Sequence, residues 1–295
     1  MQIKKTPQSL LILSFVYLLL CCQATKAQTK IPFEVSPQGH IMIKTTFNNV
    51  EGNFLFDTGG GMTMLTKKFA DRIGALKKMD GGYTAFRATG ERIDVDLYQA
   101  TSLKLGSIAE NNPLLTYIDV DFGPIDGLIS LMTFKNQPFT IDYSNKVIVL
   151  ENRATLTALK KTGHLVPLQL DISRDKTLGI AGYFTLNKKV NLQLIIDSGA
   201  GTDVFRINSK YTAQLDIDTA KAVKILKPSE FDSKFKTTIY RANIAEIAST
   251  AFPAINKKNI NAAFIPGLIY DGIISLNWIG NKITFDLTKA EMIVQ

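Results

Sequence analysis

Two aspartates in this 295-residue chain end apolar runs and are each followed by a small hydroxyl residue and a glycine: Asp57 in FLFDTGGGMTML and Asp197 in LIIDSGAGTDVF. Either stretch alone reads as a turn, because Asp and Gly are what turns are built from. Together they permit chemistry. If the two stretches occupy equivalent positions in equivalent halves, a pseudo-two-fold axis brings Asp57 and Asp197 face to face. Carboxylates that close cannot both ionise cheaply and tend to share one proton. One can then act as base towards a water while its protonated partner donates to a carbonyl oxygen. Thr58 and Ser198 would supply hydroxyls that lock the turns across the pair. Gly59 and Gly199 would let backbone N–H groups approach the carboxylates, and the apolar flanks would hold both turns rigidly in strands.

The elements that must position these residues also come in pairs. DGLISLMTFKNQPFTIDYSNKVIVL from Asp126 matches DGIISLNWIGNKITFDLTKAEMIV from Asp271, and Ile31-Pro32-Phe33 matches Val166-Pro167-Leu168. Aligned on the aspartates, Leu65 and Phe205 share a register. The chain therefore reads as two copies of one module, residues 31–150 and 165–295, joined by a polar, basic linker over 151–164. Alternating or fully apolar runs such as HIMIKTTF, RIDVDLY, VPLQLDI and KITFDL predict strands. Leu65, Phe69, Ile73 and Leu76 are spaced for one face of a short helix, with Thr66 as cap and Gly74 near its end, and a weaker version lies around 208–215. The expected class is mostly β, in two similar lobes, each with a short helix.

On these residues the sequence resembles the retropepsin-like aspartic proteases, in a bacterial, signal-peptide-bearing form with two lobes fused in one chain. The resemblance covers nearly all of the mature protein. It implies β-barrel lobes about a pseudo-two-fold axis, Asp57 and Asp197 as the catalytic pair, and a peptide or protein substrate. It further implies no metal or organic cofactor and a chain that works as a monomer. In this family an apolar-apolar-Gly segment packs beneath each aspartate turn. Here these would be Asp126-Gly127-Leu128-Ile129 and Asp271-Gly272-Ile273-Ile274, but Ser130 and Ser275 stand where the glycine belongs. The family also covers its cleft with a hairpin flap. Residues 83–98 fit one, from Tyr83 through a tip at Thr89-Gly90, with Ile93, Val95 and Leu97 alternating. The second copy alternates at Phe235, Thr237 and Ile239 but offers Pro228 and no glycine at its tip, so the two hairpins are not expected to be equivalent. The alternative function is a catalytically inactive peptide- or protein-binding module on the same fold.

Other features take plainer readings. Lys4 and Lys5, the apolar run Leu10–Leu20 and the small residues to Ala27 make residues 1–27 a secretory signal peptide, implying export to the periplasm or outside. Lipid anchoring through Cys21 or Cys22 is the lesser alternative, since Leu20 stands where a small residue is wanted. No segment is long enough for an integral membrane span. Without Lys4, Lys5 and Lys26, 31 basic residues face 26 acidic ones, and the scattered lysines argue for a solvated surface and not a nucleic-acid groove. Asp126 and Asp271 read as structural turn residues, Asp142 and Asp286 as register residues in terminal strands, and Asp121-Phe122-Gly123 as a turn. Gly59-Gly60-Gly61 lacks the Lys-Ser/Thr of a phosphate loop. His40 and His164 do not align between the copies, so neither a metal site nor a serine triad is expected. Trp278 reads as core.

Overall fold

The computed structural model describes residues 28–229 and 234–295; the leader over 1–27, with Cys21 and Cys22, lies outside them. Strands dominate. Along Ile41–Phe47, Val50–Asp57 and Val190–Asp197 burial alternates residue by residue, as expected of strands with one face on a core. Phe47, Phe54, Phe56, Leu194 and Ile196 are fully buried in one cluster that runs through both halves of the chain.

The same three-strand arrangement surrounds each aspartate. Val50–Asp57 lies parallel to Gly127–Ser130, which pairs antiparallel with Met64–Thr66. Val190–Asp197 lies parallel to Gly272–Ser275, which pairs antiparallel with Phe205–Asn208. The duplicated Asp-Gly steps follow from this crossing. A Cβ on Gly127 would sit 2.2 Å from the Met64 carbonyl oxygen, and one on Gly272 would sit 2.6 Å from that of Arg206. Asp126 and Asp271 tie the crossings down: Asp126 Oδ2 accepts the Asn53 N–H at 2.8 Å, and Asp271 accepts from the Tyr211 hydroxyl and the Lys210 ammonium.

Strand pairing corrects the alignment of the halves. Gly127 pairs with Leu65, whereas Gly272 pairs with Ile207. Thr66 N–H donates to Asp126 O just as Asn208 N–H donates to Asp271 O. The counterpart of Leu65 is thus Ile207 and not Phe205, and the loop after Asp197 is two residues longer than the loop after Asp57. Past this point Thr66 caps an α-helix, Lys67–Ile73, by accepting the Phe69 N–H at 3.2 Å, and Gly74 closes it at φ 53°. Asn208 caps only a 3-10 turn, Ser209–Tyr211.

A six-stranded antiparallel sheet knits the halves together in the order His164–Pro167, Glu291–Val294, Lys282–Asp286, Phe139–Asp142, Val147–Leu150 and Lys30–Val35. At its centre Phe139 stands opposite Phe285 and Thr140 opposite Thr284, the rings stacked at 5.2 Å and the hydroxyls 2.7 Å apart. The segment expected as a plain linker contains an α-helix, Arg153–Thr162, started by a capping box between Asn152 and Thr155 and burying none of its residues. Its anchor is Lys160, which donates to Asp286 Oδ2 at 2.8 Å and also pairs with Glu291. Burial pushes the Asp286 carboxyl up, but hydrogen bonds from Lys160 and Thr288 outweigh it and hold the group below its ordinary 3.8. A depressed carboxylate stabilises the fold above its unfolded pKa and loses that contribution as pH falls. Lys160→Met should therefore cost about 1–3 kcal/mol at pH 7 by leaving a buried carboxylate short of its cation, and thermal melts of the two proteins should converge below pH 4. Equal melting temperatures at pH 7 would refute the anchor.

Candidate active site

The strand that buries Phe54 and Phe56 ends at Asp57, and the strand that buries Leu194 and Ile196 ends at Asp197. Beyond these ends the chains cross over each other. Thr58 N–H donates to Ser198 Oγ at 3.0 Å, and Ser198 N–H donates to Thr58 Oγ1 at 2.9 Å. Each hydroxyl then donates onward across the junction, Thr58 to the Ile196 carbonyl at 2.7 Å and Ser198 to the Phe56 carbonyl at 2.8 Å. All four bonds are buried, and they clamp one turn against the other.

The clamp leaves room only for glycine beside the carboxyls. A Cβ on Gly59 would lie 2.5 Å from Asp197 Cγ, and one on Gly199 would lie 2.5 Å from Asp57 Cγ. The two carboxyl groups come within hydrogen-bonding reach of one another. Part of each aspartate's surface remains accessible, although dense protein surrounds both carboxyls.

The environments of the two are unequal. Burial raises the Asp57 carboxyl above its ordinary 3.8, but the hydrogen bond with Asp197 and the N–H groups of Gly59 and Gly60 oppose the rise. Both N–H groups donate to Oδ1 at 2.9 Å. Asp197 is raised well above 3.8, by burial first and then by the charge of Asp57 and their hydrogen bond, with Arg206 and the Gly199 N–H opposing. Its Oδ1 is buried without a hydrogen-bond partner. Of the two coupled carboxyls, Asp197 is the more strongly raised and Asp57 the one better stabilised as an anion.

Ser130 and Ser275, in place of the family's glycines, support this floor. Each is fully buried and lies in register with its aspartate. Ser275 Oγ accepts the Val204 N–H at 2.9 Å; Ser130 Oγ accepts the Met132 N–H at 3.3 Å, and its own N–H donates to Thr63 Oγ1 at 3.2 Å. Their hydroxyls are thus occupied with the loops behind the turns.

Lys77–Phe86 and Arg92–Gln99 form the hairpin expected over the cleft, turning through Arg87–Glu91 with Gly90 at φ 84°. Its tip rests on the second half. Ile269 N–H donates to Ala88 O at 3.0 Å, and Arg87 donates to Ser229 Oγ at 2.9 Å, which in turn donates to Glu91 at 2.7 Å. Thr89 lines the cavity beneath the tip. Tyr83, lower in the hairpin, places its hydroxyl 3.1 Å from Thr177 Oγ1, which packs against Gly61, with Arg174 over its ring. The second hairpin, Val223–Pro228 against Lys236–Ser249, pairs over its length with its tip outside the described residues.

Sequence patterns did not single out Arg206, and they gave His40 no role. Arg206 occupies the position of Met64 in the other half, and His40 enters from Gly39 beside the Gly201 turn. Neither belongs to a motif: strand pairing reveals Arg206, and only the packing of the Gly201 turn reveals His40. Among the described residues no three His, Cys, Asp or Glu side chains converge as a metal site would require, and no helix is long and apolar enough to cross a membrane.

No curated protein matches the chain in sequence. Residues 43–133 match the family model described as aspartyl protease. The crystal structure of edgp shares the fold at a TM-score of 0.50 and 8% identity, over 90% of this chain and 94% of that one. The match contains Asp57, Thr58, Gly59 and the whole hairpin flap, so over residues 43–133 the chain is similar to the retropepsin-like aspartyl proteases.

Proposed function

We propose that the protein is an aspartic-type endopeptidase in which Asp57 and Asp197 act as the catalytic pair. The observation that carries this reading is the reciprocal Thr58–Ser198 clamp, which holds two unequal carboxyls in contact at the floor of a flap-covered cleft. Asp57 takes a proton from water as the water oxygen bonds to the scissile carbonyl carbon, and Asp197 gives its proton to the carbonyl oxygen. The resulting diol collapses: the C–N bond breaks, the amine nitrogen takes the proton held by Asp57, and a diol hydroxyl returns a proton to Asp197. The chain's own residues supply every proton acceptor and donor in this cycle.

The reaction needs one proton on the pair. Cleavage should fall at low pH as Asp57 protonates and at high pH as Asp197 loses its proton. Both groups are raised, so the acid limb of kcat/KM should lie above 3.8. Incubating the wild type with a mixed peptide library from acidic to neutral pH tests this; an alkaline limb complete below that value would contradict the assignment. The docked flap tip favours one second reading, a module that holds peptides without cutting them. Peptide binding with no cleavage at any pH would select it. The leader residues 1–27 support export, and the mass of the mature N-terminus after expression reads out removal at Ala27.

A further inference from the structure

A cavity of about 340 Å³ lies between the flap tip and the residues that follow the Asp197 turn, Thr202 to Arg206. Its floor is apolar, formed by Ile239, Ala263, Ile265 and Leu268. Its walls are cationic: Arg87, Arg206, Lys227 and Arg241 face one carboxylate, Asp203, which is already paired with Lys257 at 2.8 Å. Arg87 is engaged by Glu91 and Ser229, and Arg241 reaches Asn261 Oδ1 at 3.3 Å. Arg206 differs from these. It is half-buried, and among the described residues its guanidinium has no hydrogen-bond or ion-pair partner. It is also near enough for its charge to act on Asp197.

A half-buried, unpartnered guanidinium costs solvation that a planar anion can restore through two parallel N–H bonds. We infer that this cavity is a specificity pocket for a carboxylate of the bound peptide, its methylenes against the apolar floor and its oxygens on Arg206, with Arg241 nearer the surface. The inference rests on the peptidase reading for its location beside the scissile bond, but its chemistry does not depend on cleavage. The other half of the chain offers no such group, since Met64 stands where Arg206 does. A carboxylate seated on Arg206 would also screen the charge that pulls Asp197 down, so an acidic substrate should make Asp197 hold its proton to higher pH.

The test compares peptides identical except for Glu, Gln or Lys at one scanned position, each with blocked ends, alongside free-acid versions of the Gln peptide. One charge-assisted pair predicts roughly a 10- to 100-fold preference in kcat/KM for Glu over Gln at one position, with the alkaline limb of the Glu profile displaced upward. A preference confined to the free-acid peptides assigns the pocket to a terminal carboxylate and upholds the inference. Arg206→Gln should bring the Glu/Gln ratio close to one and abolish the displacement, Arg206→Lys should restore part of both, and Arg241→Gln gives a second variant nearer solvent. If the wild type cleaves nothing, fluorescence anisotropy with the same peptides keeps the question open to decision: tighter binding of Glu that Arg206→Gln removes upholds the pocket while the peptidase reading falls. Equal handling of Glu and Gln by the wild type in both assays, with no gain for the free-acid peptides, overturns the inference, and so does a preference unchanged in both Arg206 variants.

Discussion

Asp57→Asn is expected to lower peptide cleavage by at least about 10³-fold, because the proposed mechanism needs its carboxylate to take the proton of the attacking water and pass it to the leaving amine. Asp197→Asn should be equally inactive, yet the two variants should differ in stability. A carboxyl whose folded pKa is raised stabilises the fold fully below its unfolded value and loses that contribution as pH rises through the folded one. Asp197 is the more strongly raised of the pair, so at neutral pH it costs the native state most. Asparagine stays neutral at every pH and also removes the like charge beside Asp57. Its melting temperature should exceed the wild type's by a few degrees at pH 7, at about 2–4 °C per kcal/mol for a chain of this size, and the two should converge near pH 3. Asp57→Asn removes the two N–H bonds made to a carboxylate and should gain less. Full cleavage by either variant, or a destabilised Asp197→Asn at pH 7, would break the assignment of proton and charge.

The second large effect is on the clamp. Thr58→Val keeps the shape of the side chain but strands two buried groups, the Ser198 N–H and the Ile196 carbonyl. Ser198→Ala strands the Thr58 N–H and the Phe56 carbonyl. At about 1–3 kcal/mol for each buried group left without a partner, each substitution should cost about 2–6 kcal/mol. The four bonds form one network, so the double variant should lose clearly less than the sum of the two. Urea titrations of the four proteins provide the cycle. Strict additivity would mean that the turns are held by something other than their hydroxyls.

How much of this could be read from the chain depended on the range of the interaction. Asp57, Thr58 and Gly59 announce themselves because an alternating apolar strand, a hydroxyl and a glycine are local signals, and their echo at Asp197 to Gly199 doubles them. The Lys67–Ile73 helix was legible for the same reason, its cap and its periodic face being contiguous. The register between halves was not. Leu65 and Phe205 are both apolar, and only the pairing of Gly272 with Ile207 reveals two inserted residues. The Arg153–Thr162 helix buries no residue fully, and its apolar face, Leu156 and Leu159, is too short to have stood out from a polar, basic stretch. Arg206 carries no motif at all; its significance comes from its strand partner and from a flap contributed by the other half of the chain.

The six-stranded sheet beneath the cleft also sets the order in which the protein can be completed during synthesis. Phe139–Asp142, FTID, lies at its middle, and its partner from the second half is Lys282–Asp286. Thr140 meets Thr284 across 144 residues of chain. A ribosome that has released the first half has therefore produced a sheet with one apolar edge bare, a template for pairing with other chains. That edge stays open through the synthesis of nearly all of the second half. Only Lys282–Asp286 and Glu291–Val294 close it, so the sheet begun at Lys30–Val35 is among the last parts to be sealed.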